Sequence, residues 1–549
     1  MAAKTGPIIV LDPGKEETKG RDALLMNINA AKTVASLVQS TLGPKGMDKM
    51  LVNSLGIVTM TNDGATILKD IGIEHPAAKM VVEVAKSLEN TAGDGTTSSV
   101  VFTGALMDKA EMLIGKGFHP SVIIKGYQMA EAKALEILNE KAMSVGPEDR
   151  EILRKVAMTA LTGKASENDK EHLADVCVDA VSAIQKDGFA DIRNNVIQVV
   201  DLNREVSETE LIKGVALTNG AANKTAPTVL ENAKIVLFDA VMDDKLKNQN
   251  KMYASSPEER AKFAEYRTER KLEVAKTIVS LGANVVLTTK AIPEIVTNYL
   301  DKNGIFVSRP IEEKDLEHVA YAVNARLVRN PRELSAEDVG VAEHFRFERI
   351  NDSGKIYITG GKASGIATIV VRAQTVNMGD SVVRALDDAL GVVKSVVEDK
   401  TVVAGGGASE MEVSLGVRAY ATTVRGYEQR VILAFAEAIE ELPKLLAKNA
   451  GLDTIDSLIA LRAAHASNKN AGLNVYTGDV TDMMEAGVVD PLRVKINTVK
   501  SAVEASVMIL RIDDVLKAKY KTMLRNDTPS SALATSFEGM APPNMNERR

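Results

Sequence analysis

Hydrophobic residues recur at helical spacing near both ends of the chain. Leu24 and Ile28 begin one such pattern, which stops before Gly43. Near the C-terminus, residues 427–451 and 498–516 repeat the amphipathic period and predict further helices. The two ends of the chain are therefore expected to share one helical domain.

The middle of the chain has a different pattern. Three short β-rich runs, at 234–239, 284–289 and 304–307, are separated by helical patterns and predict an α/β unit with partly parallel strands. A charged insertion follows the first run, at about 243–275, and its Ser-Pro pair at 256–257 is a helix start signal. From the residues alone, a solvated helix face also explains this charge.

Composition narrows the class of protein. The chain has 549 residues, of which 45% are hydrophobic and 26% charged, which is typical of a multi-domain globular protein. No apolar run reaches the length of a membrane span, and the N-terminus lacks a secretory pattern, so we expect a cytoplasmic protein without a membrane partner. The net charge of -7, without a recognition-helix or zinc-finger signature, predicts no nucleic-acid partner.

Cysteine and histidine usage predicts neither a disulfide framework nor a zinc site. The single cysteine, Cys177, lies in a helical pattern and is expected on its apolar face rather than as a nucleophile. The six histidines are scattered, without the spacing of metal ligands. Candidate chemistry therefore has to come from other residues.

A glycine-rich loop, TAGDGTTSSV at 91–100, precedes an apolar helix. Helix N-termini carry free N–H groups and a partial positive charge, which favour phosphate oxygens. The residues that open this helix are Gly95, Thr96, Thr97 and Ser98. The two threonines could equally be ordinary helix caps. A P-loop would place a lysine here, whereas the charged residue inside this loop is Asp94, so a phosphate ligand would need a cation between them.

Three more turns have the same character. TLGPKG at 41–46 surrounds Pro44-Lys45 with glycines, and VVAGGGASE at 402–410 places three glycines before a helix. TNDG at 61–64 puts Asp63 between a predicted hairpin strand and a helix. Each turn alone has an ordinary structural explanation, but together they indicate a ligand site.

Five stretches resemble the nucleotide-site motifs of the chaperonin family, in the same order along nearly the whole chain. They are TLGPKGMDKML, TNDGATILKDI, AGDGTTSSVV, DDALGVVKSVVEDKTVVAGGGASE and MMEAGVVDPLRVK. The resemblance is to group II, the archaeal thermosome type, which is related to the eukaryotic cytosolic ring chaperonin. It implies an α+β multi-domain chaperonin fold.

The resemblance also implies a division into domains. A helical equatorial ATPase domain is expected from 1–148 and 404–525, a hinge-like intermediate domain from 149–216 and 369–403, and an α/β apical substrate-binding domain from 217–368. The insertion at about 243–275 then becomes a helical protrusion that acts as a built-in lid. Residues 526–549, rich in Pro, Ser and Asn, are expected to be a disordered tail.

Residue roles follow from the same motifs. Asp94 would coordinate Mg²⁺, while Asp388 and Asp63 would be the catalytic carboxylates beside the attacking water. Asp387 is expected to be surface charge. The resemblance assigns nucleotide binding to Thr41, Leu42, Gly43, Pro44, Gly95, Thr96, Thr97, Ser98, Thr162, Gly163, Lys164, Gly406, Asn474, Val475 and Asp490. Lys164 would sense the γ-phosphate, with a plain surface lysine as the alternative.

The implied function is an ATP-dependent chaperone that encloses unfolded proteins in a double-ring cavity and closes its lid with Mg-ATP. The expected cofactors are ATP and Mg²⁺, with K⁺ as a further candidate ion. Expected partners are unfolded client proteins and other chaperonin subunits, identical or not, in two stacked rings of eight. The alternatives are a weakly hydrolysing paralogue that acts as a holdase or structural ring subunit and, more distantly, a metabolic kinase.

Overall fold

The computed structural model describes residues 16–52, 56, 58–146, 149–164, 167–223, 225–242, 257–350, 353–361 and 365–517. The predicted tail at 526–549 and the first part of the predicted protrusion, 243–256, lie outside these residues. Within the described part of the chain, no helix combines the length and apolar character needed to cross a lipid bilayer.

The N-terminal third is mainly helical. Its elements are β1 (Glu16–Lys19), α1 (Gly20–Val38), β2 (Lys49–Val52), β3 (Val58–Thr61), α2 (Gly64–Asp70), α3 (Pro76–Ala92), α4 (Thr96–Gly115) and α5 (Pro120–Lys141). Strands β2 and β3 pair antiparallel, so the predicted hairpin is confirmed. Helix α4 is buried on most of its surface, with Phe102 and Leu106 fully inaccessible, which explains its nearly unbroken apolar sequence.

A smaller layer of helices and strands follows. It contains β4 (Met143–Ser144), α6 (Arg150–Leu161), α7 (Lys170–Ile184), α8 (Ile192–Asn195), β5 (Val196–Leu202) and β6 (Glu210–Ile212). Cys177 is buried in the core that α6 and α7 help to form, as the sequence predicted.

The middle of the chain forms a sheet of seven strands among the described residues. Its elements are β7 (Gly214–Thr218), β8 (Val229–Phe238), α9 (Pro257–Ser280), β9 (Val285–Thr288), α10 (Glu294–Lys302), β10 (Phe306–Pro310), α11 (Glu313–Val323), β11 (Leu327–Val328), β12 (Gly340–Ile350) and β13 (Ser353–Gly361). The order is β10-β9-β8-β12-β13-β7, and β11 also pairs with β8. Strands β8, β9 and β10 are parallel, as predicted.

Helix α11 packs on this sheet through its apolar face. Leu316 and Val319 are both fully buried in the sheet's core. Both side chains therefore serve the packing of the core.

The chain then returns through β14 (Ala367–Ala373) and α12 (Val376–Asp399). Strand β14 pairs parallel with β5 and antiparallel with β6. Helix α12 packs against α6 and α7, with Leu390 and Val393 fully buried in the shared core. Strand β14 and helix α12 thereby tie the late part of the chain to residues 150–212.

The C-terminal part completes the helical body. Its elements are β15 (Thr401–Ala404), α13 (Ala408–Ala421), α14 (Tyr427–Ile439), α15 (Glu441–Asn449), α16 (Thr454–Ala464), β16 (Ala471–Leu473), β17 (Val480–Asp482), β18 (Val489–Pro491), α17 (Leu492–Leu510) and β19 (Asp514–Lys517). Helix α17 packs against α3, α4 and α5, so helices from the two ends of the chain share one core.

Two predicted helices differ from the structure. The pattern at 427–451 is two helices, α14 and α15, which meet at Glu440, and Pro443 lies in the first turn of α15 where its missing N–H costs little. The helix predicted at 498–516 is wrong at its C-terminal end, because α17 stops at Leu510. The residues of β19 instead pair antiparallel with β1. Pairing with a strand from the other end of the chain overrides local helical periodicity.

Candidate functional site

The glycine-rich loop ends at the N-terminus of α4. Gly95 is the N-cap residue, with a φ of 91°, and no side chain caps the helix. Thr96 and Thr97 are therefore helical residues rather than caps. A Cβ at Gly95 would lie 2.9 Å from Val494 Cγ1 of α17, so only glycine fits. The loop presents uncapped N–H groups, and its Asp94 accepts a hydrogen bond from the Gly95 N–H at 2.6 Å.

A second helix N-terminus lies beside the first. Asp63 caps α2 by accepting hydrogen bonds from the N–H groups of Ala65 (3.2 Å) and Thr66 (2.8 Å). A Cβ at Gly64 would lie 2.5 Å from Thr97 Oγ1 of α4. The TNDG and GDGTTS motifs, separate in sequence, thus meet at adjoining helix ends, and the carboxylate of Asp63 is held in a fixed direction.

The TLGPKG loop contacts the segment that carries Lys164. Gly163 has a φ of 80°, and a Cβ there would lie 2.7 Å from the Cα of Pro44. Asn62 Nδ2 donates to the Gly163 carbonyl oxygen at 2.8 Å. Three predicted segments therefore converge within hydrogen-bond or van der Waals distance.

The predicted residues Thr41, Leu42 and Thr162, in the same segments, are held by hydrogen bonds that involve backbone carbonyl groups. Thr41 and Leu42 are buried, and the Thr41 hydroxyl donates to the Val38 carbonyl oxygen at 2.9 Å. The Leu42 carbonyl oxygen accepts from Asn449 Nδ2 at 2.9 Å. Thr162 is the C-cap residue of α6, and its hydroxyl donates to the Met158 carbonyl oxygen. Because both hydroxyls already donate to backbone carbonyl oxygens, Thr41 and Thr162 would contact a ligand mainly through backbone atoms and van der Waals packing.

Lys164 and Asp388 form an ion pair. Lys164 Nζ lies 2.5 Å from Asp388 Oδ2, and each side chain is only 18% exposed. Burial opposes the charge on Lys164, but Asp388, Asp94 and Asp63 together raise its pKa above the ordinary value. Lys164 therefore stays protonated, and the alternative of a free surface lysine does not describe it.

Asp388 carries the opposite perturbation. Burial and the negative charges of Asp94 and Asp63 raise the pKa of Asp388 above its ordinary value, while the ammonium of Lys164 opposes this rise and favours the carboxylate. Asp387, the next residue on α12, is exposed and accepts a hydrogen bond from Gln198 Nε2 of β5. The two adjacent aspartates thus face different surroundings, as the sequence predicted.

The donor set fits Mg²⁺ rather than a metal held entirely by side chains. Asp94, Asp63 and Asp388 supply hard carboxylate oxygens, close enough together for the charges of Asp94 and Asp63 to act on Asp388. Within the described ranges, no three His, Cys, Asp or Glu side chains are grouped closely enough to hold a metal alone. Mg²⁺ commonly binds one or two carboxylates together with substrate phosphates and water, so Asp94 is suited to hold it in that way.

The three consecutive glycines form the turn between β15 and α13. Gly406 has a φ of 60°, and its carbonyl oxygen accepts from the Leu473 N–H at 2.9 Å. The Gly405 N–H donates to the Val488 carbonyl oxygen at 3.0 Å, and a Cβ on Gly405 would lie 3.1 Å from Asp490 Oδ2. Asp490 therefore stands directly beside the glycine turn.

The predicted residues Asn474 and Val475 lie in a turn after β16. Asn474 Oδ1 accepts from the Tyr476 N–H at 3.0 Å, and Val475 packs in the same apolar cluster as Leu446 of α15. The Lys45 ammonium lies 4.7 Å from the centre of the Tyr476 ring. This cation–π contact links the turn to the TLGPKG loop.

Sequence reasoning missed four residues of this arrangement. Asn62 was part of a quoted motif, but its amide bridge to Gly163 depends on the fold. Gly93 and Gly391 touch backbone to backbone, and the only sequence signal was a glycine inside the helical pattern of α12. Lys495 lies in the motif MMEAGVVDPLRVK, but the motif does not indicate that it bridges two carboxylates beside the glycine turn.

Comparison with known proteins agrees with this arrangement. The sequence matches the TCP-1/cpn60 chaperonin family over residues 34–520. The chain therefore belongs to the TCP-1/cpn60 chaperonin family, and its chaperonin fold is a multi-domain mixture of helices and sheets, as predicted.

The similar relatives narrow the branch. A thermosome subunit of Pyrococcus horikoshii is 46% identical over 525 residues, which cover 94% of this chain and 95% of the relative. The thermosome subunit beta of Archaeoglobus fulgidus is 44% identical over 525 residues, covering 94% and 96%. The predicted membership of group II, of the archaeal thermosome type, is thereby confirmed, and the general function is that of a chaperonin.

Proposed function

We propose that this protein is an ATP-hydrolysing subunit of a double-ring chaperonin that encloses unfolded proteins and closes a built-in lid. The observation that carries the proposal is the buried Lys164–Asp388 ion pair, which lies close enough to Asp94 and Asp63 for all four charges to interact. Two helix N-termini meet at the same place. Such a set can hold phosphates, a divalent cation and an attacking water.

Each part of the site has a role in this proposal. The N–H groups after Gly95 bind phosphate oxygens, and Asp63 and Asp388 orient the water that attacks the γ-phosphate. Mg²⁺ bound at Asp94 would neutralise phosphate charge and thereby favour the ionised form of Asp388. Lys164, already charged, senses the terminal phosphate through the carboxylate that it shares with that water.

Hydrolysis is gated by domain movement in this proposal. Asp388 lies on α12 and Lys164 follows α6, whereas the phosphate loop belongs to α4. Closure of the intermediate domain over ATP brings the water-orienting carboxylate to the phosphate, so that chemistry follows conformational change. The segment at about 243–275, of which residues from Pro257 form α9, is the lid that this movement closes.

The assembly is proposed to contain two stacked rings of eight subunits that act on unfolded client proteins in the cytoplasm. The relatives are named as thermosome subunits, which supports a multi-subunit assembly. We take ATP and Mg²⁺ as the cofactors, and K⁺ as a further ion to be tested by omission from the buffer.

The test is Mg-ATP turnover by the purified assembly, measured as phosphate release, for the natural protein and two neighbouring variants. Asp388→Ala should lower turnover at least ~100-fold while nucleotide binding is retained. The matched control is Asp387→Ala, which alters the adjacent, exposed carboxylate and should keep turnover near that of the natural protein. Electron microscopy of the same samples, with and without ATP, should show double rings that close with ATP.

The outcomes separate the alternatives. Rings that bind ATP but release phosphate at a negligible rate would favour the weakly hydrolysing paralogue. Equal losses in both aspartate variants would remove Asp388 from the catalytic role.

A further inference from the structure

A charge cluster that the proposed mechanism does not use lies beside the glycine turn at 405–407. Lys495 Nζ lies 2.7 Å from Asp490 Oδ2 and 2.8 Å from Glu410 Oε1. The three side chains are 16%, 23% and 9% exposed, in that order. The ammonium of Lys495 thus bridges two carboxylates, one from a strand (Asp490) and one from a helix (Glu410).

The three residues lie at or just before the starts of two helices, α13 and α17. Asp490 belongs to β18, which pairs with β15, and Val403 of β15 lies opposite Asp490 just before the three glycines. Lys495 is in the first turns of α17, which begins directly after β18. Glu410 is in the first turn of α13, which begins directly after the glycines.

Lys495 is placed against the local electrostatics of its own helix. A cation near a helix N-terminus is unfavourable, and burial also opposes its charge. Asp490 and Glu410 outweigh both effects and raise the pKa of Lys495, so it remains an ammonium. Removal of either carboxylate would leave the ammonium with less compensation for its burial.

The geometry points to Lys495 as a positioning residue for the nucleotide, which fixes the carboxylate of Asp490 so that it accepts a hydrogen bond from a ribose hydroxyl. The inference rests on the proposed ATP site. Lys495 engages Oδ2 of Asp490, the oxygen that lies next to Gly405, and this leaves Oδ1 to accept a hydrogen bond from the ligand. Glu410 anchors the ammonium from the other side and prevents Lys495 from following the ligand.

Helix α17 also links this charge cluster to the phosphate loop. A Cβ on Gly95 would lie 2.9 Å from Val494 and 3.0 Å from Thr498 Oγ1, and these residues flank Lys495 on the same helix. The helix that carries Lys495 therefore also contacts the phosphate loop. This connection relates the position of the ribose to that of the phosphates.

The experiment measures ribose recognition rather than affinity alone. Dissociation constants for ADP, 2′-deoxyADP and 3′-deoxyADP are determined by titration calorimetry on the full-length assembly. The natural protein should prefer ADP to the analogue that lacks the recognised hydroxyl by about tenfold or more, as expected for a hydrogen bond to a charged group. Lys495→Met should bring this ratio close to one, and Asp490→Asn should lower it as well.

A matched control distinguishes positioning from general structural damage. Lys141 forms another lysine–glutamate pair close by: it lies 3.1 Å from Glu412, which is two residues after Glu410 on α13 and also pairs with Lys469. Lys141→Met should leave the deoxyADP-to-ADP ratio unchanged. If Lys495→Met fails to assemble, Glu410→Gln serves instead, because it removes the anchor of the ammonium and should lower the ratio at least twofold.

The outcomes are separable. A Lys495→Met protein, or failing that Glu410→Gln, with the ratio of the natural protein overturns the positioning role while the proposed function stands. A natural protein that binds ADP without discriminating the deoxy analogues also overturns it. A natural protein that binds no adenine nucleotide contradicts the proposed function itself.

Discussion

Gly93 and Gly391 meet backbone to backbone. A Cβ added to Gly93 would lie 2.5 Å from the Cα of Gly391, and one added to Gly391 would lie 2.6 Å from the Cα of Gly93. Gly93 precedes Asp94 in the phosphate loop, and Gly391 lies one helical turn after Asp388 on α12. The two glycines therefore set how closely the helix of Asp388 approaches the loop.

We predict that Gly391→Ala lowers ATP turnover although it favours the helix. In an exposed helix interior, alanine is more stable than glycine by about 1 kcal/mol. Here the added carbon meets backbone, so α12 has to move away from the loop. A displacement of about 1 Å at a reacting group can lower a rate about 100-fold, so phosphate release should fall by about 10- to 100-fold while ADP binding, measured by calorimetry, changes little.

The control for this substitution is Gly115→Ala at the end of α4. No neighbouring atom lies within 4 Å of a Cβ there, and turnover should stay at the natural rate. If Gly391→Ala turned over ATP as fast as the natural protein, the contact between the two backbones would not determine the position of Asp388.

Local sequence signals predicted much of the site because its parts are helix starts and glycine turns. Asp63 at the junction of β3 and α2, and the glycines before α13, are properties of short segments, so the sequence predicts them. The Gly93–Gly391 contact and the bridge from Asn62 to Gly163 were not, because a glycine or an amide in sequence does not indicate its partner.

The same distinction holds for the fold. Strands β8, β9 and β10 were predicted because their β-rich runs are buried on both faces and bounded by turns. Strand β19 was read as helix because its partner, β1, lies at the other end of the chain. The division into domains at 148, 216, 368 and 403 remains a prediction, since it concerns movement rather than local structure.

We predict that replacing either of two adjacent glutamates, Glu440 or Glu441, with alanine lowers the stability of the protein by very different amounts. Glu440 is 2% exposed and binds Arg418 Nη2 at 3.1 Å, Arg462 Nη2 at 2.5 Å and Ser414 Oγ at 2.7 Å. Glu440→Ala leaves two arginines without their shared carboxylate and should reduce the free energy of unfolding by about 3 kcal/mol. The measurement is the guanidinium midpoint by circular dichroism.

Glu441 supplies the comparison. It pairs with Lys444 at 2.6 Å, but this pair is more than a quarter exposed on both sides. Exposed pairs contribute about 0–1 kcal/mol, so Glu441→Ala should shift the midpoint only slightly. Equal shifts for the two variants would show that the buried carboxylate of Glu440 does not stabilise the junction of α14 and α15.

Cys177 should resist thiol reagents until the protein unfolds, even at alkaline pH. It is fully buried, and burial raises the pKa of its thiol. Since the reactive form is the thiolate, a disulfide reagent at pH 9 should leave the folded protein unmodified. It should label the single cysteine in denaturing guanidinium chloride, and Cys177→Ala is the blank for both measurements.

The same shift in pKa has a consequence for stability. Below the ordinary thiol pKa of about 8.5, the folded and unfolded states both carry the thiol proton. Above it, the unfolded thiol of Cys177 ionises while the folded one stays protonated, so the unfolded state binds fewer protons and stability falls as the pH rises. Between pH 8 and 10, the unfolding midpoint should therefore fall more steeply for the natural protein than for Cys177→Ala. Equal slopes, or rapid labelling of the folded protein, would contradict the burial of this thiol.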